Sequence, residues 1–336
     1  MQTVSSLEEL SLDELGAIRR QLQRRFGIGN RGNIIDVAFG MAEANGQLDP
    51  SRPDSICFYV RHKRKPRAKI DRIPATIDCR LKRGRRFVRV RLATDVILLG
   101  TRQVRPSGEP ISHSRSRGNG ITGGVIGWRL SDRKSWTWGV ITVGHLFANL
   151  NVVPESTPLV RIGRPSANAV AGTLIARSKP FNRQQVDAAI VMVPREQLVA
   201  ADMLPETSST RGKRIRPVTA LKNDQGKQGF SFPRAVIVKL RVVRFLPISD
   251  LVPALGSLRF VVEAIAMPGT FAVGRSGSMW AVQRQAAGIQ HGGLPTQFHR
   301  GWGQSLEFAL QWCVQEIAIL EDVAADDVDL RLMRVI

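Results

Sequence analysis

Apolar positions near the start of the chain recur at helical spacing: Leu15, Ile18 and Leu22 follow one another a turn apart until Gly27. Ser11 and Glu14 stand just before them at the spacing of a capping box, in which each side chain satisfies the other residue's free N–H. One amphipathic helix is therefore predicted over 11–26, within an N-terminal segment 1–30. The period then changes. Residues 35–43 and 55–61 read as two strands around a turn, and further strand-like runs follow at 72–77 and 91–96, giving a small α+β module over 31–110. A polar stretch rich in Gly, Ser and Arg over 105–120 marks its boundary. Beyond it, short β runs separated by turns dominate: 121–128, 136–143, 158–162, 170–175, 187–193, 235–245 and 258–266. That rhythm predicts an all-β barrel or sandwich. Residues 206–229 lack apolar periodicity and read as a mobile surface loop. Leu306, Leu310, Cys313, Val314 and Ile317 line one face of a helix over 305–320, which ends the main domain at 111–320 and leaves 321–336 as a tail.

Three segments carry candidate chemistry. Gly274-Arg275-Ser276-Gly277-Ser278 sets a serine between glycines after a strand, where a hydroxyl and backbone N–H groups stand close to an approaching carbonyl. Alone such a string is common in turns. His145 ends the apolar stretch 136–144, and Asp187 stands at the mouth of the uncharged run 188–193. An acid there either faces water or is buried against a partner that keeps it ionised.

The chain order His145, Asp187, Ser276 resembles that of the chymotrypsin/trypsin-like serine peptidase superfamily. Thr142-Val143-Gly144-His145 is similar to the family's histidine box, Asp187-Ala188-Ala189-Ile190 to its aspartate box, and 274–278 to its nucleophile loop. Ala287-Gly288-Ile289-Gln290-His291-Gly292-Gly293 resembles the strand that follows along the substrate cleft. The likeness covers about residues 120–315. It implies two six-stranded Greek-key barrels with the site between them, and a C-terminal helix closing the second. It also implies His145, Asp187 and Ser276 as the catalytic triad of an endopeptidase, with the N–H groups of Gly274 and Ser276 as oxyanion donors. His291, Gly292, Gly293 and Thr270 would then line the cleft. Two departures stand out: Arg275 replaces the aspartate that anchors a cut N-terminus in trypsin-type zymogens, and His291 replaces a serine bonded to the catalytic aspartate. The first hundred residues carry a second likeness, to the N-terminal module of intracellular bacterial trypsin-like peptidases and of plant proteins related to the rice narrow-leaf protein.

Composition sharpens this reading. With 336 residues and 43% hydrophobic content the chain can bury an ordinary core, and no apolar run is long enough to span a membrane. The first nine residues do not form a secretory signal. Cys57, Cys79 and Cys313, odd in number and without C-x-x-C spacing, exclude a disulfide framework or cysteine-rich zinc site and suit a reducing, cytoplasmic setting. No cofactor is implied. Lys and Arg outnumber acids 49 to 28, a net +21. The excess gathers at 61–69, at Arg80, Lys82, Arg83, Arg85, Arg86, Arg89 and Arg91, and at 211–216. Such clusters attract polyanions; they also occur as solvated edges that discourage strand pairing. The expected partner is a protein substrate, and the competing class is a binding module whose basic surface holds nucleic acid or an acidic protein. One tyrosine and 6% aromatics supply few platforms for base stacking.

Overall fold

The computed structural model describes residues 2–29, 32–44, 47–63, 72–100, 105–106, 123–147, 159–162, 170–179, 183–207, 210–232, 237–268, 270–271, 275–294 and 297–335. The chain opens with β1 (Thr3–Val4) and α1 (Leu12–Phe26). Ser11 caps α1 with both capping-box bonds in place, and Gly27 ends it in the left-handed region at φ 61°, where a side chain would be strained. Leu15, Ile18 and Leu22 are the buried stripe.

Strands β2 (Ile34–Gly40), β3 (Ala42–Ala44), β4 (Gln47–Asp49), β5 (Ser55–Val60), β6 (Thr76–Arg83), β7 (Arg86–Leu98) and β8 (Arg105–Pro106) follow. Next come β9 (Gly124–Leu130), β10 (Thr137–Thr142), β11 (Leu159–Ile162), β12 (Val170–Arg177), β13 (Ala189–Met192) and the short helices α2 (Arg195–Ala200) and α3 (Val218–Leu221). The last part holds β14 (Gln228–Phe232), β15 (Val238–Ser249), β16 (Leu258–Ala266), β17 (Met279–Val282), β18 (Gln285–Leu294), β19 (Gln297–Ser305), α4 (Leu306–Glu321) and β20 (Val328–Val335).

The fold is mainly β. Strands β15, β14, β17, β18, β19 and β16 pair in turn, and β16 pairs back with β15 to close a six-stranded barrel. A second sheet runs β11-β12-β13-β10-β9-β20. Its sixth strand is a correction to the sequence reading, which left 321–336 as a tail. Val328-Asp329-Leu330-Arg331-Leu332 alternates apolar and charged residues, and the strand lies antiparallel on β9 with Leu332 buried. A further difference concerns 206–229. Buried Val218 and Leu221 fold α3 against the body, and Arg216 pairs with Asp224 at 2.5 Å.

The N-terminal strands are not set apart from the barrel. β2 pairs with β15 through Gly40↔Arg244 and Phe39↔Phe245, extending the barrel sheet through β5 and β7. One apolar core runs from Leu15, Ile18 and Phe58 to Val262, Trp280 and Val282. The junction is also charged: Arg244 and Arg300 each reach both Glu43 and Glu263 at 2.7–2.8 Å, and Tyr59 donates to Glu263. Arg244 and Glu263 are fully buried, so each depends on the other for the solvation it has lost. The second core fills the other sheet and takes in Leu306, Trp312, Cys313 and Ile317 of α4. All three cysteines are free and buried. No helix among the described residues is long and apolar enough to cross a membrane.

Candidate active site

Strand pairing brings His145 and Asp187 together. β10 and β13 are antiparallel, with Thr142 opposite Ala189, so the residues just past the end of one lie beside those just before the start of the other. His145 sits on a single 3₁₀ turn, Gly144–Phe147, that follows β10. A Cβ on Gly144 would collide with the Ser178 hydroxyl and come within 2.8 Å of the Ala188 carbonyl, so only glycine lets the turn seat this deeply. Ser178 in turn braces the aspartate segment: its hydroxyl accepts from the Ala188 N–H at 2.9 Å, and its own N–H donates to the Ala188 carbonyl at 2.8 Å.

Asp187 receives two bonds from one residue. Its Oδ2 lies 2.7 Å from His145 Nδ1, and its Oδ1 accepts the His145 backbone N–H at 2.9 Å. On the other side of the ring, His145 Nε2 is 3.0 Å from Ser276 Oγ. Burial by itself would raise the Asp187 carboxyl, but the charge and hydrogen bonds of His145, with help from His291, hold it below the usual carboxylate range. The aspartate is thus ionised at neutral pH and fixes the ring so that Nε2 faces the serine.

Ser276 is held by a tight turn. Ser278 bonds back to the Arg275 carbonyl with its N–H at 3.1 Å and its hydroxyl at 2.7 Å. Gly277 lies at φ 90° and donates to the Gln290 carbonyl at 2.8 Å, which docks the turn on β18. Arg275, partly exposed, lies just before the buried serine. Gly274 falls outside the described residues.

The remaining candidates follow along β18 and before the turn. His291 is fully buried, with its carbonyl oxygen 3.5 Å from Ser276 Oγ. Neither of its ring nitrogens has a hydrogen-bond partner among the described residues, and it makes no bond to Asp187. Burial pushes its imidazole down to about 4; the charge of Asp187 works against that shift and His145 adds to it. Gly292 and Gly293 come next on the same strand, opposite Trp302 and Gly301 of β19. Thr270 is buried and spends its hydroxyl locally, on the Met267 carbonyl at 2.8 Å. Among the described residues no three His, Cys, Asp or Glu side chains gather as a metal site.

One polar residue at the centre was not anticipated. Gln304, on β19, accepts the Asp187 N–H at 2.9 Å and donates to the carbonyls of Gln185 at 2.8 Å and Arg259 at 2.9 Å. It fastens the aspartate segment to the closed barrel. In sequence it is one of two glutamines in a strand with no local motif, and only the fold gives it a role.

No protein-family model matches the chain, and no curated protein does. The solved structures that the chain matches, all at low identity, include several proteases. The active form of the Rv3671c protease from M. tuberculosis is 14% identical over 59% of this chain and 82% of its own, with a TM-score of 0.35. Thermobifida fusca protease A is 14% identical over 64% and 98%, TM-score 0.34. The chymotrypsin of Cellulomonas bogoriensis is 16% identical over 63% and 97%, TM-score 0.32. Overlaps this loose add nothing to the strand pairings and side-chain distances given above, on which the fold and the site stand.

Proposed function

We propose that the protein is a serine endopeptidase that cleaves a protein substrate through an acyl-enzyme, with Ser276 as nucleophile, His145 as base and Asp187 as the group that orients His145. A single observation carries this reading: one buried imidazole, 2.7 Å from a carboxylate on one side and 3.0 Å from a hydroxyl on the other. A serine hydroxyl is almost wholly protonated at neutral pH and needs a base to attack. As its oxygen bonds to the substrate carbonyl carbon, its proton passes to His145 Nε2. Asp187 stabilises the imidazolium that results. The C–N bond then breaks as the same proton moves to the leaving amine, and water repeats the sequence in reverse. The backbone N–H of Ser276, with that of Gly274 as the family likeness implies, would face the developing oxyanion.

The test is hydrolysis of an unfolded protein substrate by wild type and Ser276→Ala. Turnover should fall by a factor on the order of 10⁴ with the melting curve unchanged. Equal turnover in a pure Ser276→Ala preparation rules the reading out. The likeness of the N-terminal strands to intracellular bacterial and narrow-leaf-type peptidases rests on sequence pattern alone.

A second reading has an observation of its own. The β6–β7 hairpin presents Arg80, Lys82, Arg85, Arg86 and Arg91 exposed on a short ribbon, with Asp78 already committed to Arg89 at 2.6 Å. We propose that this ribbon docks a polyanionic partner, nucleic acid or an acidic protein, whether or not Ser276 is active. Binding of a duplex oligonucleotide should weaken steeply with added salt and with Arg80→Glu together with Lys82→Glu; no binding at low salt removes this reading.

A further inference from the structure

The edge of β18 that faces the nucleophile turn is occupied from its start to Gly293 by the protein itself. β19 holds one edge of β18 from Gly288 to Leu294. On the opposite edge β17 pairs as far as Ile289. The nucleophile turn takes the next position, with Gly277 donating to the Gln290 carbonyl and the Ser278 carbonyl accepting from the Gln290 N–H. Ser276 Oγ stands by the His291 carbonyl. An extended peptide whose carbonyl lay against Ser276 would therefore run along Gly292 and Gly293, the next residues of this edge beyond the serine, by adding a strand to it. That position is taken. β8 lies there antiparallel, with Pro106 opposite Gly292 and Arg105 opposite Gly293.

The space for a substrate side chain is taken as well. Gly293 and Gly301 face each other across β18 and β19, and two glycines so paired leave a slot between strands. Phe271 fills it. A Cβ on Gly301 would lie 2.5 Å from the Phe271 ring, and one on Gly293 would lie 2.5 Å from the Phe271 carbonyl oxygen. The ring is buried and packs against Trp280 at 5.6 Å. Consistent with both contacts, Ser276 has no exposed surface and His145 keeps only 4% of its own.

We infer that the cleft is self-occupied: β8 stands in for the backbone of a bound peptide, Phe271 for its side chain, and the chain as folded is the resting state. This inference rests on the peptidase reading of Ser276, His145 and Asp187. Its substrate is an extended peptide that must displace residues 105–106, and Phe271 sets which side chain the slot accepts. The β8 segment precedes β9, the first strand after the N-terminal strands, so a partner drawing those strands away would withdraw it. No new N-terminus is needed.

The test compares hydrolysis of a fluorogenic peptide by the intact chain and by a full-length variant with residues 101–110 replaced by a Gly/Ser segment of equal length. A fluorophosphonate probe counts the reactive serines in each. The replaced chain should turn over about tenfold faster or more, the factor being set by how rarely β8 leaves on its own. A synthetic peptide of residues 99–112 added in trans should restore inhibition by raising KM with kcat unchanged. Phe271→Ala in the replaced chain should shift preference toward larger side chains. Equal turnover of two chains that are both labelled at Ser276 overturns the inference and leaves the peptidase reading standing. Absence of labelling in both removes the peptidase reading, and this inference with it.

Discussion

At the scale of single residues the site depends on His145 holding two partners at once, and each partner can be removed separately. Asp187→Asn keeps the shape but takes away the charge that favours an Nε2 free to accept a proton, so kcat should fall on the order of 10⁴-fold with KM little changed. Gln304→Ala strips partners from the Asp187 N–H and from two carbonyls; a loss of about 1–3 kcal/mol in stability should appear in a denaturant titration, with kcat reduced more than KM. His291 supplies a pH signature. Its folded imidazole titrates at about 4, below the 6.5 of an unfolded histidine, so the unfolded chain binds more protons between those values. Stability contributed by neutral His291 is complete above pH 6.5 and is lost as pH falls toward 4, a contribution on the order of 3 kcal/mol. Relative to wild type, His291→Leu should lose less stability over that window; parallel pH curves for the two proteins contradict the assignment. His145, Asp187 and Ser276 stand out in the sequence through their chain order and the short strings around them, and the structure sets the three side chains within hydrogen-bond distance in that order. Gln304 and Phe271 do not stand out. Gln304 bonds across 117 residues, and Phe271 meets Gly301 only where β18 and β19 pair, and no local pattern encodes either.

At the scale of elements, legibility followed period. α1 and α4 were readable because cap and stripe are both local: Ser11 and Glu14 at one end, Leu15, Ile18 and Leu22 along the face. The strands from β9 to β16 lie within a few residues of the apolar runs, β14 excepted: Gln228–Phe232 has no run of its own and starts inside the stretch read as a loop. What periodicity cannot carry is which strand lies beside which. β20 alternates like a strand, but its partner β9 lies about 200 residues earlier, as the bond from Arg129 to Asp329 shows. The square of Arg244, Arg300, Glu43 and Glu263 was equally hidden, since its members come from β3, β15, β16 and β19. Replacing Glu263 by alanine leaves two buried guanidiniums short of an anion and should cost about 3–5 kcal/mol, measured by chemical denaturation. A stability unchanged within error would mean the ring is solvated in a way its burial denies.

At the scale of the whole molecule, the N-terminal strands, the closed barrel and the last strand form one connected structure. Deleting residues 322–336 removes a sheet strand, so the shortened chain should lose cooperative unfolding or precipitate, where removal of a mere tail would leave the melt as it was. The shared core also bears on activation. By the likeness of the 274–278 string to the trypsin family, Arg275 stands where zymogens carry the acid that holds a cut N-terminus, and α1 with β2, β5 and β7 packs on the barrel. Active protein should therefore retain residues 1–120 by intact-mass spectrometry. Activity confined to chains trimmed to begin near Ile121, with that terminus against the nucleophile turn, would show the opposite. The central claim, that a serine is activated by a histidine here, is tested most directly by fluorophosphonate labelling of the full-length protein and of His145→Ala, with the labelled residue located by mass spectrometry. The arrangement of His145, Asp187 and Ser276 predicts one label per chain, on Ser276, lost in His145→Ala and retained in a surface variant such as Lys82→Ala. A chain that takes no label even with residues 101–110 replaced, or takes it equally with and without His145, contradicts the claim.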